Sequence, residues 1–274
     1  MRYQLIIEAD KPHRRYFQDL WVYRELFWFL AWRDILVRYK QTVIGIAWSV
    51  IRPLLAMIVF TVVFGVLMGR AEGDPGQYAV VVYAAMLPWQ FFANTFQEGA
   101  NSLLTNAAMI SKVYFPRLIV PTTSMIVSLI DFVISLVILA ILMGVFRHVP
   151  PARVVLLPLF LALGMVTALG AAFWVSALNV KYRDFRYVVP FVVQFGLYIS
   201  PVGFTSDLVP GNWRLLYSLN PMVGVIDGFR WCLLGADSAM YWPGVFLSLI
   251  LSFLLFVSGV AFFRGMERDF ADVI

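Results

Sequence analysis

The sequence predicts an all-α integral membrane protein with six membrane-spanning helices. Apolar residues make up 61% of its 274 residues and charged residues 14%, whereas soluble domains average about 45–50% and about 25%. The mean hydropathy of +0.81 agrees with this class. A helix needs about 20 mostly apolar residues to cross a hydrocarbon core. Six segments qualify: residues 50–69, 78–96, 118–146, 154–178, 187–204 and 245–263.

The N-terminal segment, residues 1–41, is predicted to stay cytoplasmic and to contain an interface helix. In residues 23–41, aromatic and aliphatic side chains recur at helical spacing on one face, whereas Asp34, Arg38 and Gln41 share the opposite face. An amphipathic helix rich in Trp, Phe and Arg is typical of segments that lie in a membrane interface. Two roles are open for it: a membrane anchor, or a lever that contacts a cytoplasmic partner.

A broken apolar segment follows the fifth predicted span. In residues 212–235, Pro221, Asp227 and Arg230 interrupt apolar runs that are too short to cross a membrane. Short apolar pieces of this kind are typical of re-entrant or interfacial half-helices. The chain is therefore predicted to form one domain, 1–274. Spans one to five occupy residues 50–206, the re-entrant segment 207–242, and the last span with the cytoplasmic tail 243–274.

Basic residues set the predicted orientation. With the N-terminus inside, 16 of the 21 Lys and Arg residues lie on the inner side of six spans. This excess fits the positive-inside rule, so both termini are predicted to be cytoplasmic. A seventh span would place Arg264 and Arg268 outside, against that rule. Topology thus explains the net charge of +5 without nucleic acid as a partner.

Sequence motifs for nucleotide and metal chemistry are absent. No GxxxxGK[ST] and no GxG occurs, so neither a phosphate-binding loop nor a dinucleotide fingerprint is predicted. The two histidines are too far apart for HExxH, and the single cysteine allows no intrachain disulfide. The chain is predicted not to be an enzyme and to hold no metal or cofactor. If it uses ATP, another chain binds it.

Asp131 is the only ionisable residue deep in a predicted span. Charged groups within a membrane are costly and are often functional. Two interpretations are open for this carboxyl group. It could be a proton relay, or a structural group that hydrogen-bonds a neighbouring helix or lines a partly hydrated surface.

An aromatic stripe runs along the fifth predicted span. Tyr187, Phe191, Phe195 and Tyr198 recur at i, i+4, i+8 and i+11, so one helix face carries all four rings. Interfacial belts place aromatic rings near the ends of a helix rather than along its length. The stripe therefore indicates either helix packing or the wall of a conduit. Because aromatic rings stack on the C–H faces of sugars, such a conduit would suit a glycan.

Four long segments resemble the permease subunit of bacterial type-2 ABC exporters for polysaccharide, and they occur in the same order. They are YKQTVIGIAWSVIRPLLAMIVFTVVFG (39–65), SKVYFPRLIVPTTSMIVSLIDFVISLVIL (111–139), NVKYRDFRYVVPFVVQFGLYISPVGF (179–204) and SLNPMVGVIDGFRWCLLG (218–235). The resemblance is strongest to the O-antigen exporter subgroup, with capsule and teichoic acid permeases close behind. It implies ATP-driven export of a lipid-linked polysaccharide across the bacterial inner membrane.

The resemblance also implies an assembly. Its expected parts are a homodimer of six-span subunits and two copies of a cytoplasmic ABC ATPase, which bind ATP and Mg²⁺. A channel is expected at the dimer centre, and periplasmic gate helices before the last span. The lipid-linked polysaccharide and membrane lipid are the remaining expected partners.

Candidate residues for ATPase contact lie on three inner segments. The resemblance implies a coupling helix in the second cytoplasmic loop and a further contact just before the fifth span. The interface helix is expected to add charges at the rim. The residues are Asn106, Ile110 and Lys112, then Tyr182, Arg183 and Asp184, and finally Asp34 and Arg38.

Candidate residues for the gate and the channel lie toward the outer side. Asn220, Pro221 and Arg230 match the gate motif of the family, and Asp227 is expected to face water or Arg230. The aromatic stripe is expected to line the channel, joined across the dimer by Phe60 and Phe64 of the first span.

Three other functions suit the same spans. A secondary transporter predicts transport without an ATPase, lost in Asp131→Asn. A membrane-embedded glycosyl- or acyltransferase needs convergent acid and base groups, and the sequence offers only scattered acids such as Glu98 and Asp184. An ABC exporter of drugs or small lipids would differ only in substrate.

Overall fold

The computed structural model describes residues 13–40, 45–69, 75–182, 184–235, 240–267 and 270. Every regular element within them is helical, which confirms the all-α class. The helices are α1 (His13–Val22), α2 (Arg24–Lys40), α3 (Gly45–Phe60, continued by a π-helix, Thr61–Leu67), α4 (Pro75–Thr105), α5 (Ala107–Ile110), α6 (Ile119–Val145), α7 (Leu157–Lys181, preceded by a 3₁₀ turn, Ala152–Leu156), α8 (Phe185–Ile199), α9 (Gly211–Tyr217), α10 (Pro221–Leu234) and α11 (Trp242–Met266).

Five helices in the described part of the chain are long and apolar enough to cross a membrane: α3 with its π-helical extension, α4, α6, α7 and α11. They coincide with five of the six predicted segments. The remaining one, residues 187–204, is helical only as the 15-residue α8. That length corresponds to roughly 22 Å, below the ~30 Å of a hydrocarbon core. The helix ends because Ser200 precedes Pro201, which disfavours helical backbone at the residue before it, and Ser200 is extended.

Helix α4 forms the centre of the bundle. Of its 31 residues, 19 are buried, and it packs against α6, α7 and α10. Burial on nearly all sides explains why this helix is apolar around its circumference rather than along one stripe. Its Tyr83 and Phe91 lie fully or almost fully inside the core.

Helices α7 and α11 pack as a parallel pair at the edge of the bundle. Thr167 and Ser252 hydrogen-bond between them at 2.7 Å, and the rings of Trp174 and Phe262 stack at 4.0 Å. Polar contacts between membrane helices hold them together where lipid offers no competing partner. The opposite face of α11 is exposed and apolar, as at Phe253.

A second apolar cluster fixes α2 to one end of the bundle. Leu30 of α2 is buried with Leu103, Phe115, Phe173 and Phe263, which come from α4, the α5–α6 loop, α7 and α11. On the other side of α2, Trp28 and Trp32 are exposed. The helix predicted within residues 23–41 thus exists as α2, with the short α1 before it.

Candidate functional site

Helix α8 carries the predicted aromatic stripe on an unpacked surface. Tyr187, Phe191, Phe195 and Tyr198 are 72%, 57%, 49% and 60% exposed, and the rings of Phe191 and Phe195 lie 4.2 Å apart. Only Val189 of this helix is buried. We refer to the four exposed rings as the aromatic face. Since they have little packing within the chain, the aromatic face is available to a second subunit, to lipid or to a ligand.

Helix α3 extends the aromatic face within the same chain. Phe60 stacks on Tyr198 with ring centroids 6.4 Å apart, and on Phe64 at 5.5 Å. Both rings also press against Gly203, where a Cβ would come within 2.9 Å of each of them. The structure therefore brings Phe60 to the aromatic face by an intrachain contact, whereas the sequence placed that contact across a dimer.

Asn220 and Pro221 stabilise the start of α10. Asn220 is the N-cap: its side-chain oxygen accepts from the Met222 amide at 3.1 Å, and its amide nitrogen donates to Ser200 Oγ at 2.9 Å. Pro221 occupies the first helical turn, where a missing N–H is tolerated. Asn220 therefore links the end of α8 to the start of α10.

Arg230 ties α10 to the segment after α8. Its guanidinium is 2% exposed and donates to the carbonyl oxygens of Val202 and Phe204 at 2.9 and 2.8 Å. It therefore does not face water, which was one of the two expected environments for Asp227 and Arg230. Burial raises the pKa of the nearby Asp227 carboxyl, while a hydrogen bond with Ser206 and the charge of Arg230 act in the opposite direction. Asp227 is thus half-buried and lies close enough to the buried Arg230 to be influenced by its charge.

Glycines allow α10 to pack closely in the bundle. A Cβ on Gly224 would lie 2.6 Å from Ser248 Oγ, and one on Gly228 would lie 2.1 Å from the ring of Phe160. Small residues at four-residue spacing permit this kind of approach between membrane helices. The segment predicted to be re-entrant is therefore two helices, α9 and α10, of which α10 is well packed.

The second loop contains a short helix, α5, with an exposed edge after it. Asn106 precedes α5; its side chain accepts from Arg33 at 2.7 Å and donates to the Ser102 carbonyl at 2.9 Å. Ile110 is buried, whereas Lys112 and the adjacent Tyr114 are exposed. Of these predicted residues, Asn106 and Ile110 thus position α5, and Lys112 is on the surface.

The next loop brings further exposed groups to the same end of the bundle. Tyr182 and Asp184 are exposed between α7 and α8. Arg183 lies outside the described residues. The second and third loops therefore both present polar and aromatic side chains at the end where α2 is anchored.

The charged residues of α2 contact the chain itself. The Arg38 guanidinium lies 2.7 Å from one carboxylate oxygen of Asp131 and 3.9 Å from Glu98. Asp34 pairs with its neighbour Arg33 at 2.7 Å. The Tyr39 hydroxyl donates to the second oxygen of Asp131. Asp131 therefore hydrogen-bonds a neighbouring helix, which is its structural interpretation, and the neighbour is α2.

The sequence pattern did not predict these partners of Asp131. Helical periodicity shows which residues of α2 share a face, but it does not identify the helix against which that face packs. One signal was present: a carboxylate in a span needs a cation or hydrogen-bond donor nearby. Arg38 and Tyr39, which end the helix immediately before the first span, were available for that role.

Comparison with known proteins gives consistent matches over most of the chain. Residues 25–234 match the family described as ABC-2 type transporter. Two proteins of Klebsiella pneumoniae named "O-antigen export system permease protein RfbA" are each 25% identical, over 249 and 243 residues. Both alignments cover 88% of this chain and 92% of the relative. A Myxococcus xanthus protein of the same name is 26% identical over 218 residues, which cover 79% of this chain and 83% of the relative.

Proposed function

Because this chain belongs to the ABC-2 type transporter family, we propose that it is the permease subunit of an ATP-driven exporter of lipid-linked polysaccharide. The substrate is of the O-antigen type, in keeping with the names of the relatives. The chain lies in the bacterial inner membrane, α8 is the fifth of its six spans, and both termini are cytoplasmic. The distribution of basic residues supports this orientation.

The aromatic face is the observation that carries the proposal. Helix α8 has 15 residues, fewer than the about 20 needed to cross a hydrocarbon core, and only one of its side chains is buried within the chain. A second copy of the chain, placed against α3 and α8, would cover part of this surface and enclose the rest as a channel. The channel therefore lies at a homodimer interface, lined by rings from both copies.

Aromatic rings suit a polymer that must slide. One tight site would stall a moving chain, so conduction requires several weak and equivalent sites, as in ion channels. Stacking on Phe191, Phe195 and Tyr198 supplies such contacts without demanding one pattern of hydroxyl groups. The aromatic face would therefore guide the glycan along the membrane normal.

The gate of this channel is α9 with α10. Arg230 and Asn220 attach α10 to the chain just beyond α8, so a shift of α10 would move the outer end of the aromatic face. The two hydrogen bonds of the buried Arg230 guanidinium fix that attachment.

The ATPase contact is formed by the two inner loops. Exposed Lys112 and Tyr114 after α5, with Tyr182 and Asp184 before α8, offer a mixture of apolar and charged groups of the kind found at the rims of protein interfaces. Two copies of a separate ATPase subunit bind there and supply ATP hydrolysis.

Reconstitution tests the proposed function. The chain and its partner ATPase are placed in proteoliposomes with a lipid-linked O-antigen glycan, and movement of the glycan across the bilayer is followed. Export should require both chains and ATP. Capsule and teichoic acid polymers, tested in the same assay, should be exported more slowly than the O-antigen substrate. Transport by the permease alone on an ion gradient would instead establish a secondary transporter.

A charge reversal tests the motor contact separately. Lys112→Glu combined with Arg183→Glu should leave ATP hydrolysis running without export, because the loops no longer seat the ATPase correctly. Arg147→Glu, an exposed arginine just after α6 at the opposite end of the bundle, is the matched control and should export normally. If the double variant retains both ATPase stimulation and export, the motor binds elsewhere.

A further inference from the structure

A polar cavity of about 280 Å³ lies between α2, α3, α4 and α6. It is bounded by the end of α2, the start of α3 and the middle of α4 and α6. Asp131 is 12 residues beyond the first residue of α6, roughly 18 Å along the helix axis, so the cavity lies within the bundle rather than at its tip. The polar lining residues are Arg38, Tyr39, Ser49, Arg52, Gln90, Asn94, Ser128, Asp131 and Ser135.

The charges of this polar cavity do not cancel. Its lining holds two guanidinium groups, of Arg38 and Arg52, and one carboxylate, of Asp131. Asp131 is already engaged by Arg38 at 2.7 Å and by the Tyr39 hydroxyl. Glu98, the other acid near this group, lies 3.9 Å from Arg38 and is largely exposed. The second guanidinium, of Arg52, is exposed and makes no ion pair with an acid among the described residues.

Three polar side chains of the cavity make no hydrogen bond or ion pair with the described residues. Arg52 only covers the ring of Trp48, at 5.7 Å from the ring centroid, and makes no ion pair there. The half-buried side-chain amides of Gln90 and Asn94 likewise make no hydrogen bond with described residues. Arg52 is exposed and the two amides are half-buried, so all three side chains have hydrogen-bond donors available to a ligand. Together they describe a site for a ligand that accepts hydrogen bonds and carries negative charge.

The geometry points to this polar cavity as the docking site for the phosphorylated head group of the lipid-linked substrate, an inference that rests on the proposed function. A planar guanidinium matches two phosphate oxygens, and amide donors complete the shell. Trp48, 48% exposed beside Arg52, offers a ring face to the first sugar. The apolar exposed residues that follow on α3, such as Leu55 and Val59, leave room for the lipid tail outside the bundle.

The site would load the substrate before it enters the channel. The polar cavity and the aromatic face share α3: Arg52 lies two turns before Phe60 on the same helix. A glycan whose phosphate is held at Arg52 therefore starts beside the rings that guide it. The Arg38–Asp131 pair places α2, which is anchored near the motor contact, directly on the wall of this site.

Binding of a defined lipid tests the inference. The purified permease–ATPase complex in detergent is titrated with a polyprenyl phosphate, and retention is measured by native mass spectrometry. A polyprenol of equal length, phosphatidylglycerol and inorganic phosphate are the comparison ligands. Arg52→Gln should weaken polyprenyl phosphate binding by about tenfold or more, and Arg52→Lys by less. The matched control is Arg153→Gln, which removes an arginine that also covers a tryptophan, Trp231, at 4.7 Å but lies away from the cavity.

Several outcomes would overturn the inference. They are equal binding by Arg52→Gln and the wild type, equal binding of polyprenol and polyprenyl phosphate, displacement by phosphatidylglycerol at equal concentration, or saturation by inorganic phosphate alone. Size-exclusion chromatography identifies any variant that fails to assemble. If Arg52→Gln fails, Arg52→Lys is compared with the wild type instead.

Export assays on the same preparations separate this inference from the proposed function. If the wild type exports glycan while Arg52→Gln binds lipid normally, the docking site is wrong and the exporter remains. If the wild type exports nothing while binding depends on Arg52, the exporter is wrong and the phosphate site remains.

Discussion

Helices α8 and α10 have similar lengths and opposite environments. Helix α8 has 15 residues and one of them is buried, whereas ten of the 14 residues of α10 are buried. Both are apolar, and both are too short to cross a membrane with ease. Yet α10 lies among α4, α7 and α11, whereas α8 touches the bundle mainly through α4 and α7.

This difference distinguishes side chains that pack within one chain from side chains that remain available to a partner. Phe229 of α10 meets Phe132 edge to face at 5.9 Å and is fully buried, so its ring contributes to folding. Phe191 and Phe195 of α8 have similar chemistry but remain exposed, so their rings are free to contribute to transport. The same substitution should therefore have different consequences in the two helices.

Phe229→Ala should give the largest effect, and the effect should be on folding. Removing a fully buried ring typically destabilises by about 3–5 kcal/mol. The thermal unfolding midpoint of the detergent-solubilised chain measures it, with Phe253→Ala on the exposed face of α11 as the control. An unchanged midpoint in Phe229→Ala would mean that α10 is not packed as described.

Arg230→Gln should destabilise somewhat less and should loosen the end of α8. The guanidinium donates to two carbonyl oxygens, and hydrogen bonds from charged groups contribute about 1.5–3 kcal/mol. Amide hydrogen exchange should increase in residues 200–204 more than in α7. An equal change of hydrogen-exchange protection in both regions would contradict the proposed attachment of α10 to the end of α8.

Phe191→Leu combined with Phe195→Leu should reduce export on the order of 10- to 100-fold, since each aromatic contact contributes about 0.5–1.5 kcal/mol. Leucine keeps most of the volume and removes the aromatic surface, so the unfolding midpoint and ATPase activity should be retained. Surface glycan measures the export. If the double variant loses its dimer instead, the rings serve packing, and normal export would exclude a role in the channel.

Tyr198→Leu alone should have the smallest effect. A path with several equivalent contacts tolerates the loss of one, so the export rate should fall by less than about tenfold. Complete loss of export with a folded chain would indicate a single essential site rather than a sliding surface.

Hydropathy predicted most of the fold because span length is a property of the sequence alone. Residues 118–146 became α6 (Ile119–Val145) almost unchanged, since lipid imposes the same requirement on every residue of such a segment. Residues 187–204 formed a shorter helix because a local rule, the restriction before Pro201, overrides apolar composition. The aromatic spacing in α8 was predictable for the same reason: it depends on helix periodicity.

Partners across the fold could not be predicted in this way. Arg38 was expected at the rim of a partner contact, and it lies 2.7 Å from Asp131 of α6. Periodicity assigns a residue to a face of its helix, but the neighbour of that face depends on how all the helices pack. Arg230 illustrates the same limit, because its carbonyl partners lie 28 and 26 residues earlier in the chain.

Thiol accessibility tests most directly whether the aromatic face lines a path. Phe195→Cys and Phe253→Cys replace rings that are 49% and 62% exposed within one chain, one on α8 and one on α11. The native thiol of Cys232 is fully buried, so the wild type gives the background. A water-soluble thiol reagent, applied to both sides of proteoliposomes during ATP hydrolysis, should label position 195 and leave position 253, which we expect to face lipid, unlabelled. If neither position reacts in an active complex, α8 faces lipid and the channel lies elsewhere.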